Sequence, residues 1–263
     1  MFMLFYILLS FLRINLEPAI ARSCALSLLI AACGREPRPP ISRAWPLMGT
    51  TLSAAAWGAG GADSTRVARA LDAARDSVHR IDSLLRKRIR IAALDSVREE
   101  VRRESGVALP PDSLAIGYAL DRAALALGPV VDSTLLGLGE QFRWIGPATR
   151  STHRSVGIPD PDNTLRSLGA VEMWGGSVRT KSQRNAHGAT VRSVTVLAAT
   201  AAAADAWAAA FMVVGCDSAL ALALRLGQPP TWSRVSVVCA DSAGVRSTTD
   251  LGQRFLRPTG RVP

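Results

Sequence analysis

The chain contains almost no lysine and few histidines. It has 263 residues, 31 of them lysine or arginine, but only Lys87 and Lys181 are lysines, and there are three histidines. The arginines that produce the net charge of +10 are scattered, without the dense basic run that is typical of nucleic-acid binding. We therefore expect no nucleic-acid partner. The cysteines and histidines also lack the spacing of a zinc site.

Further absences restrict the fold class. The sequence has neither the glycine-rich dinucleotide fingerprint nor a P-loop. After residue 33, no apolar run reaches the roughly 18 residues that span a bilayer. Apolar residues make up 48% of the chain and charged residues 20%, which is typical of a folded protein. Strand-like and helix-like segments alternate loosely, and we predict one α+β domain.

The first 33 residues resemble the leader of a bacterial lipoprotein. An apolar run from Cys24 to Ala32 follows Arg22 and ends in small residues directly before Cys33. We predict cleavage before Cys33 and acylation of its sulfur, which would anchor the chain to a membrane on the extracytoplasmic side of the cell envelope. The alternative is an ordinary signal peptide or membrane anchor with a chance cysteine.

Composition divides the rest of the chain into two parts. Residues 34–44 are rich in proline and suit a linker, and residues 45–263 are predicted to form the domain. Cys216 and Cys239 are the remaining cysteines of the mature chain. They could form a disulfide in an oxidising compartment, but we prefer the interpretation as two buried core cysteines.

Local patterns predict several helices. Apolar residues recur at gaps of three and four from Val67 to Leu85, which predicts a long amphipathic helix. Asp112 or Ser113 is predicted to cap a later helix. An alanine-rich helix is predicted to begin after Thr200, and a further helix after it is predicted to end at about Leu226.

The segment that is most informative about function joins a strand to the alanine-rich helix. A β-branched run from Ser193 to Leu197 leads to Thr200, a favourable N-cap, and Asp205 lies in the second helical turn. A helix start offers N–H groups to an anion, and a carboxylate in an apolar stretch needs a partner or a cation. The segment is therefore either a core helix with one solvent-facing aspartate or a site for phosphate and a hard cation.

Four motifs occur in a fixed order along the domain. They are MGTT at residues 48–51, GYALDRA at 117–123, GGSVRTKSQ at 175–183 and VTVLAATAAAADAWAAAF at 194–211. With the lipoprotein leader, they make the chain resemble the ApbE family of bacterial FAD:protein FMN transferases. The resemblance covers most of the chain from Trp45 to about Ala240.

The resemblance implies an activity and a set of site residues. FAD would be cleaved with Mg²⁺ as cofactor, FMN would be esterified to a threonine or serine hydroxyl of an acceptor protein, and AMP would leave. Asp205 would hold the magnesium ion and be the catalytic residue, since magnesium prefers hard oxygen ligands. The implied nucleotide contacts are Met48, Gly49 and Thr50 against the flavin nucleotide, Gly117 and Tyr118 in a loop–helix turn near the diphosphate, Ser177, Thr180 and Ser182 in a strand-end loop, and His187 at the flavin.

The chain also departs from the family pattern. Ile116 stands where the family has a lysine, and Ala209 stands one turn after Asp205, where a further oxygen ligand is expected. His187 is interpreted as the remnant of a longer segment beside the flavin, and Asp121 with Arg122 as a solvated pair. Two other functions follow from these departures: a catalytically impaired, lipid-anchored flavin-binding relative, and a metal-dependent FAD diphosphatase.

Overall fold

The strands account for most of the architecture. The computed structural model describes residues 39–59, 62–146, 154–163, 165–183, 191–227 and 235–257. The strands in these ranges are β1 (Ile41–Leu47), β2 (Thr50–Gly58), β3 (Val131–Leu138), β4 (Gln141–Ile145), β5 (Arg154–Pro159), β6 (Ser167–Met173), β7 (Gly176–Ser182), β8 (Ser193–Ala198), β9 (Ser236–Asp241), β10 (Gly244–Ser247) and β11 (Phe255–Leu256). β1 begins at Ile41, inside the segment that was predicted to be a linker.

The helices of the described residues lie between these strands in the chain. They are α1 (Ser64–Arg86), α2 (Ala92–Ser105), α3 (Ala115–Ala126), α4 (Ala201–Val214) and α5 (Cys216–Leu226). The predicted amphipathic helix is confirmed as α1. The Asp63 side chain caps α1 by accepting the Arg66 N–H at 2.7 Å, and the apolar stripe from Val67 to Ile81 is buried.

Two antiparallel sheets and a layer of helices form the α+β fold. The larger sheet has the order β1-β2-β3-β4-β7-β8-β9-β10, and the smaller has the order β11-β6-β5. Successive side chains of β8 point to opposite faces of the larger sheet, so their contacts show which layer lies on each face. Val194 and Val196 pack in a cluster with helix residues, whereas Leu197 packs with residues of the smaller sheet. The larger sheet therefore separates the helices from the smaller sheet, and the predicted fold class is confirmed.

One of two local predictions is confirmed and the other is wrong. A further helix does follow the alanine-rich helix and ends at Leu226, because Gly215, with φ of 88°, ends α4 and α5 begins at Cys216. Neither Asp112 nor Ser113 caps α3. The segment Pro111–Leu114 is a 3₁₀ turn, and the Ser113 hydroxyl donates to the Pro110 carbonyl instead. A backbone turn therefore takes the place of the predicted cap of α3.

The mature cysteines are bonded to each other. Cys216, the first residue of α5, forms a disulfide with Cys239 in β9, and their Cα atoms lie 5.6 Å apart. The preferred interpretation as two separate core cysteines is wrong, although both residues are buried. Within the described ranges, no helix combines the length and apolar character needed to cross a membrane.

Candidate functional site

The MGTT motif forms a hairpin turn at one end of the larger sheet. Met48 and Gly49 join β1 to β2 with φ values of 53° and 72°, as a type I′ turn requires. Leu47 pairs with Thr50 across this turn. Pro46 to Thr51 line a cavity of about 710 Å³ together with α1 residues that include His79 and Arg86. Met48, Gly49 and Thr50 therefore line this cavity, and their predicted contact with the flavin nucleotide stays a prediction.

Gly117 and Tyr118 lie inside helix α3 and not in a loop–helix turn. A Cβ atom on Gly117 would meet the Ala201 carbonyl oxygen at 2.3 Å and the Ala202 Cα at 2.8 Å. Gly117 therefore lets α3 approach the first turn of α4 closely. Tyr118 is half-buried and packs against two groups of buried apolar residues, one that includes those of α4 and one that includes those of α1. The predicted placement in a turn is wrong, because the helix begins at Ala115.

We expect a Gly117→Ala substitution to lower the free energy of unfolding by about 2 kcal/mol, because the contact is with backbone atoms that cannot rotate away. Urea denaturation measures the effect. Gly157→Ala is the matched control, since a Cβ there would meet only the Ser167 hydroxyl at 3.9 Å. A Gly117→Ala protein as stable as the control would contradict this close helix contact.

Asp205 is buried in the first half of α4, and its side chain is only 2% exposed. Its Oδ1 lies 2.9 Å from Lys181 Nζ and 3.3 Å from Arg179 Nε. Its Oδ2 accepts the Gly117 backbone N–H at 3.2 Å. The interpretation as a solvent-facing aspartate is wrong, because this carboxylate connects α4, β7 and α3.

Strand β7 presents two different faces. Arg179 and Lys181 are two residues apart, so both side chains point towards α4 and meet Asp205. Thr180 points the other way and shares a hydrogen bond of 2.9 Å with the Thr195 hydroxyl. The Ser177 hydroxyl donates to the Phe142 carbonyl at 2.6 Å.

The three polar residues expected in a strand-end loop therefore lie in β7 itself. Ser177 and Thr180 are buried, with hydroxyl partners inside the sheet. Ser182 is the last residue of the strand and is partly exposed. The predicted loop is wrong because the motif pairs on both sides, with β4 and with β8. Buried hydroxyls that are already bonded stabilise the sheet and have little capacity left for a ligand.

The start of α4 is an anion site that is already filled by the protein. Thr200 is its N-cap, as predicted, and its side chain accepts the Ala203 N–H at 3.2 Å. The two carboxylate oxygens of Asp121 accept the N–H groups of Ala201 and Ala202, both at 2.9 Å. Arg143 Nη1 completes this cluster at 2.9 Å from Asp121.

The cluster changes two sequence-based interpretations. Asp121 is only 17% exposed, so it is not part of a solvated pair. The N–H groups of the first turn of α4 also have partners within the chain, and they are not free for a phosphate group. A carboxylate at this position balances the partial positive charge of the helix start, as a bound anion would.

The residues around Asp205 do not fit a resident magnesium ion. Magnesium takes six oxygen ligands in near-octahedral geometry. Asp205 Oδ1 lies beside the two cations Lys181 and Arg179, and Oδ2 accepts the Gly117 backbone N–H. One turn later, the Ala209 side chain has no oxygen that could bind a metal. Among the described residues, no three His, Cys, Asp or Glu side chains are grouped to hold a metal.

A second cavity lies at the other end of the β7 motif. Its volume is about 980 Å³, and it brings together the Gly175–Gly176 turn and the strand end Ala198–Thr200. Trp207 supplies part of the apolar lining, and Arg254 supplies a cation. The Arg254 guanidinium lies 5.3 Å from the centre of the Trp174 ring. A cleft with apolar walls and a few polar groups is typical of a small-molecule site.

Some site residues were not predicted from the sequence, and two predicted ones cannot be placed. Arg179 and Lys181 are the unpredicted partners of Asp205, and the signal for them was the spacing of two basic residues within a β-branched motif. Asp121 was noticed, but its role as a helix cap was not. His187 and Cys33 lie outside the described residues, so their predicted roles stay predictions.

Comparisons with known proteins agree with the motif order. Residues 48–229 match the model of the ApbE family. No curated protein matches the chain.

Several solved structures are similar in fold. Flavin transferase ApbE from Vibrio cholerae is 15% identical, with a TM-score of 0.61 over 82% of this chain and 99% of that one. The ApbE protein of Thermotoga maritima is 16% identical, with a TM-score of 0.60 over 82% and 99% of the two chains. Flavinyl transferase ApbE of Pseudomonas stutzeri is 16% identical, with a TM-score of 0.58 over 84% and 100%.

Proposed function

Because the chain belongs to the ApbE family, we propose that it transfers the FMN part of FAD to a threonine or serine hydroxyl of an acceptor protein. The observation that carries this proposal is the cavity of about 980 Å³ at Gly176 and Thr200. Two of the four family motifs meet there, and its volume lies in the upper range of small-molecule sites. The similar proteins from Vibrio cholerae and Pseudomonas stutzeri are named as flavin or flavinyl transferases.

The proposed reaction is a phosphoryl-type transfer. The acceptor hydroxyl oxygen forms a bond to the phosphorus of the FMN half, and the bond from that phosphorus to the bridging oxygen breaks. The electron pair of the broken bond leaves with AMP, and the hydroxyl proton is lost to solvent. Catalysis of such a transfer depends mainly on positioning and on neutralising phosphate charge.

Two carboxylates, Glu100 and Asp250, line the cavity, but other residues in it suit a flavin nucleotide. Trp207 and Leu197 provide apolar wall against which an isoalloxazine ring could pack. Arg254 donates from Nε and Nη2 to the Glu172 carbonyl at 3.2 and 3.0 Å, which orients its guanidinium. An arginine has five N–H donors, so others stay available for a phosphate oxygen. The expected dependence on magnesium stays a prediction.

We also propose that the protein acts outside the cytoplasm, anchored through a lipid on Cys33. The disulfide between Cys216 and Cys239 supports this location, since disulfides persist in oxidising compartments. An acceptor for a lipid-anchored enzyme would lie at or near the membrane surface.

A catalytically impaired flavin-binding relative is a second candidate function. Two observations favour it: Asp205 is neutralised by Lys181 and Arg179, and Asp121 occupies the anion site at the start of α4. Such a protein would keep the cavity at Gly176 and Thr200 but not transfer FMN.

Incubating the purified full chain with FAD, Mg²⁺ and a threonine-containing acceptor peptide tests these functions. We expect the peptide to gain the mass of the FMN moiety, with one AMP released for each modified peptide. Free FMN with AMP and no modified peptide would instead indicate a diphosphatase, and FAD binding without product would indicate the impaired relative. Either result contradicts the transferase.

Two matched arginine variants test whether the cavity is the FAD site. Arg254→Met is expected to weaken FAD binding about tenfold, because a charge-assisted hydrogen bond to phosphate is lost. Arg257→Met is the control, since Arg257 is exposed and donates a hydrogen bond to the Val245 carbonyl in β10. Equal FAD affinity of the two variants would place the nucleotide elsewhere.

A further inference from the structure

We propose that Lys181, supported by Arg179, supplies the positive charge at Asp205 that a divalent cation would otherwise supply. The site would then neutralise phosphate without a metal bound to Asp205. This inference rests on the proposed function and extends its site: Lys181 is not among the residues that line the cavity of about 980 Å³ and lies five residues along β7 from Gly176, so FAD would have to reach beyond that cavity along β7. It differs from the sequence-based expectation, in which Asp205 holds magnesium.

The charge balance at Asp205 is the first argument. One carboxylate lies 2.9 Å from the Lys181 ammonium and 3.3 Å from Arg179 Nε. Two cations against one carboxylate leave a single net positive charge. A magnesium ion on one carboxylate would leave the same net charge, so the two basic side chains reproduce the electrostatic result of a metal.

The same geometry works against a metal. A divalent cation bound to Oδ1 would lie within a few ångströms of two like charges, and their repulsion is strong in a site where water is scarce. Oδ2 already accepts the Gly117 N–H at 3.2 Å. A metal would therefore have to displace Lys181, and among the described residues no group of three His, Cys, Asp or Glu side chains is present to hold it.

Lys181 retains the capacity to contact a ligand. Its side chain is 25% exposed, compared with 13% for Arg179 and 2% for Asp205. A lysine ammonium has three donors, and within the described ranges Asp205 is the one acidic partner of Lys181. Lysine is a common ligand of phosphate, where it acts as a point charge. Asp205 thus positions an ammonium that can turn its other donors outwards.

A metal titration without FAD tests whether Asp205 binds a divalent cation. The purified full chain is titrated with Mn²⁺, as a spectroscopic substitute for Mg²⁺, and bound metal is measured by electron paramagnetic resonance. We expect no stoichiometric Mn²⁺ site in the wild type. One bound Mn²⁺ per chain that is lost in Asp205→Asn would overturn the inference, whether or not the chain transfers FMN.

FAD binding in the presence of EDTA tests whether Lys181 contributes to FAD affinity without a metal. We expect EDTA to change wild-type FAD affinity by less than twofold, and Lys181→Met to weaken it about tenfold, as for the loss of one charge-assisted contact. Lys181→Arg keeps the charge and should retain most of the affinity. Lys87→Met is the matched control, because Lys87 is the other lysine of the chain and lies at the end of α1.

The outcomes separate this inference from the proposed function. FAD binding that needs Lys181 but not metal, without any FMN transfer, would support the inference and contradict the transferase. Metal-dependent FMN transfer by the wild type, together with wild-type FAD affinity in Lys181→Met, would support the transferase and contradict the inference. Circular dichroism and a thermal melt confirm that each variant is folded. If Lys181→Met does not fold, the wild-type Mn²⁺ titration and the effect of EDTA still decide the result.

Discussion

Replacement of Asp205 by alanine is expected to lower the free energy of unfolding by about 3–5 kcal/mol. The carboxylate is 2% exposed and has two cationic partners and one backbone N–H donor. Removing one member of a buried ion pair leaves the others uncompensated, and this is the costly change. The loss should be visible as a lower urea midpoint, with little change in its slope.

Two further variants separate the buried charge from a general effect of losing an aspartate. Asp76→Ala removes an exposed carboxylate of α1 that is paired with Arg75, and should cost less than about 1 kcal/mol. Combining Asp205→Ala with Lys181→Met removes opposite charges together, so the double variant should lose less stability than the two single losses added. If Asp205→Ala were as mild as Asp76→Ala, the buried ion cluster would not contribute to stability.

Removal of the disulfide between Cys216 and Cys239 is expected to cost about 3 kcal/mol. The bond joins residues 23 positions apart in sequence and ties α5 to β9. A cross-link of this length reduces the freedom of the unfolded chain and so raises the free energy of unfolding. Reduction with dithiothreitol should therefore lower the urea midpoint of the wild-type protein.

A variant without the two cysteines is the matched control for this reduction. The protein with Cys216→Ala and Cys239→Ala should be as unstable as the reduced wild type, and dithiothreitol should not change it further. Alkylation of the unfolded, unreduced wild type, followed by peptide mass analysis, should leave both cysteines unlabelled. Labelling of both would show that the thiols are free and would contradict the bond.

Asp205 shows how far local sequence carries a site prediction. A single carboxylate in an alanine-rich stretch stands out from its immediate neighbours, and its need for a partner follows from the cost of burying a charge. The identity of that partner does not follow. Arg179 and Lys181 lie on a neighbouring strand, and which side of β7 faces α4 depends on its pairing with β8.

The predicted anion site at the start of α4 shows the same limit of local sequence. Thr200 was predicted as the N-cap because a capping side chain contacts residues within its own turn. The carboxylate that fills the site comes from Asp121, 80 positions earlier in the chain. A helix start that looks free in the sequence can therefore be occupied once the fold is complete.

The sequence by itself determined the family, the α+β class, the amphipathic helix α1 and the residues of the four motifs. These features depend on side-chain type, order and spacing, which are local properties. Only the tertiary structure decided that Gly117 lies in a helix contact, that Lys181 and Arg179 neutralise Asp205, and that the two cysteines are bonded. The physical reason is that burial, charge balance and cross-linking depend on residues far apart in sequence, such as Gly117 and Asp205, which are 88 positions apart.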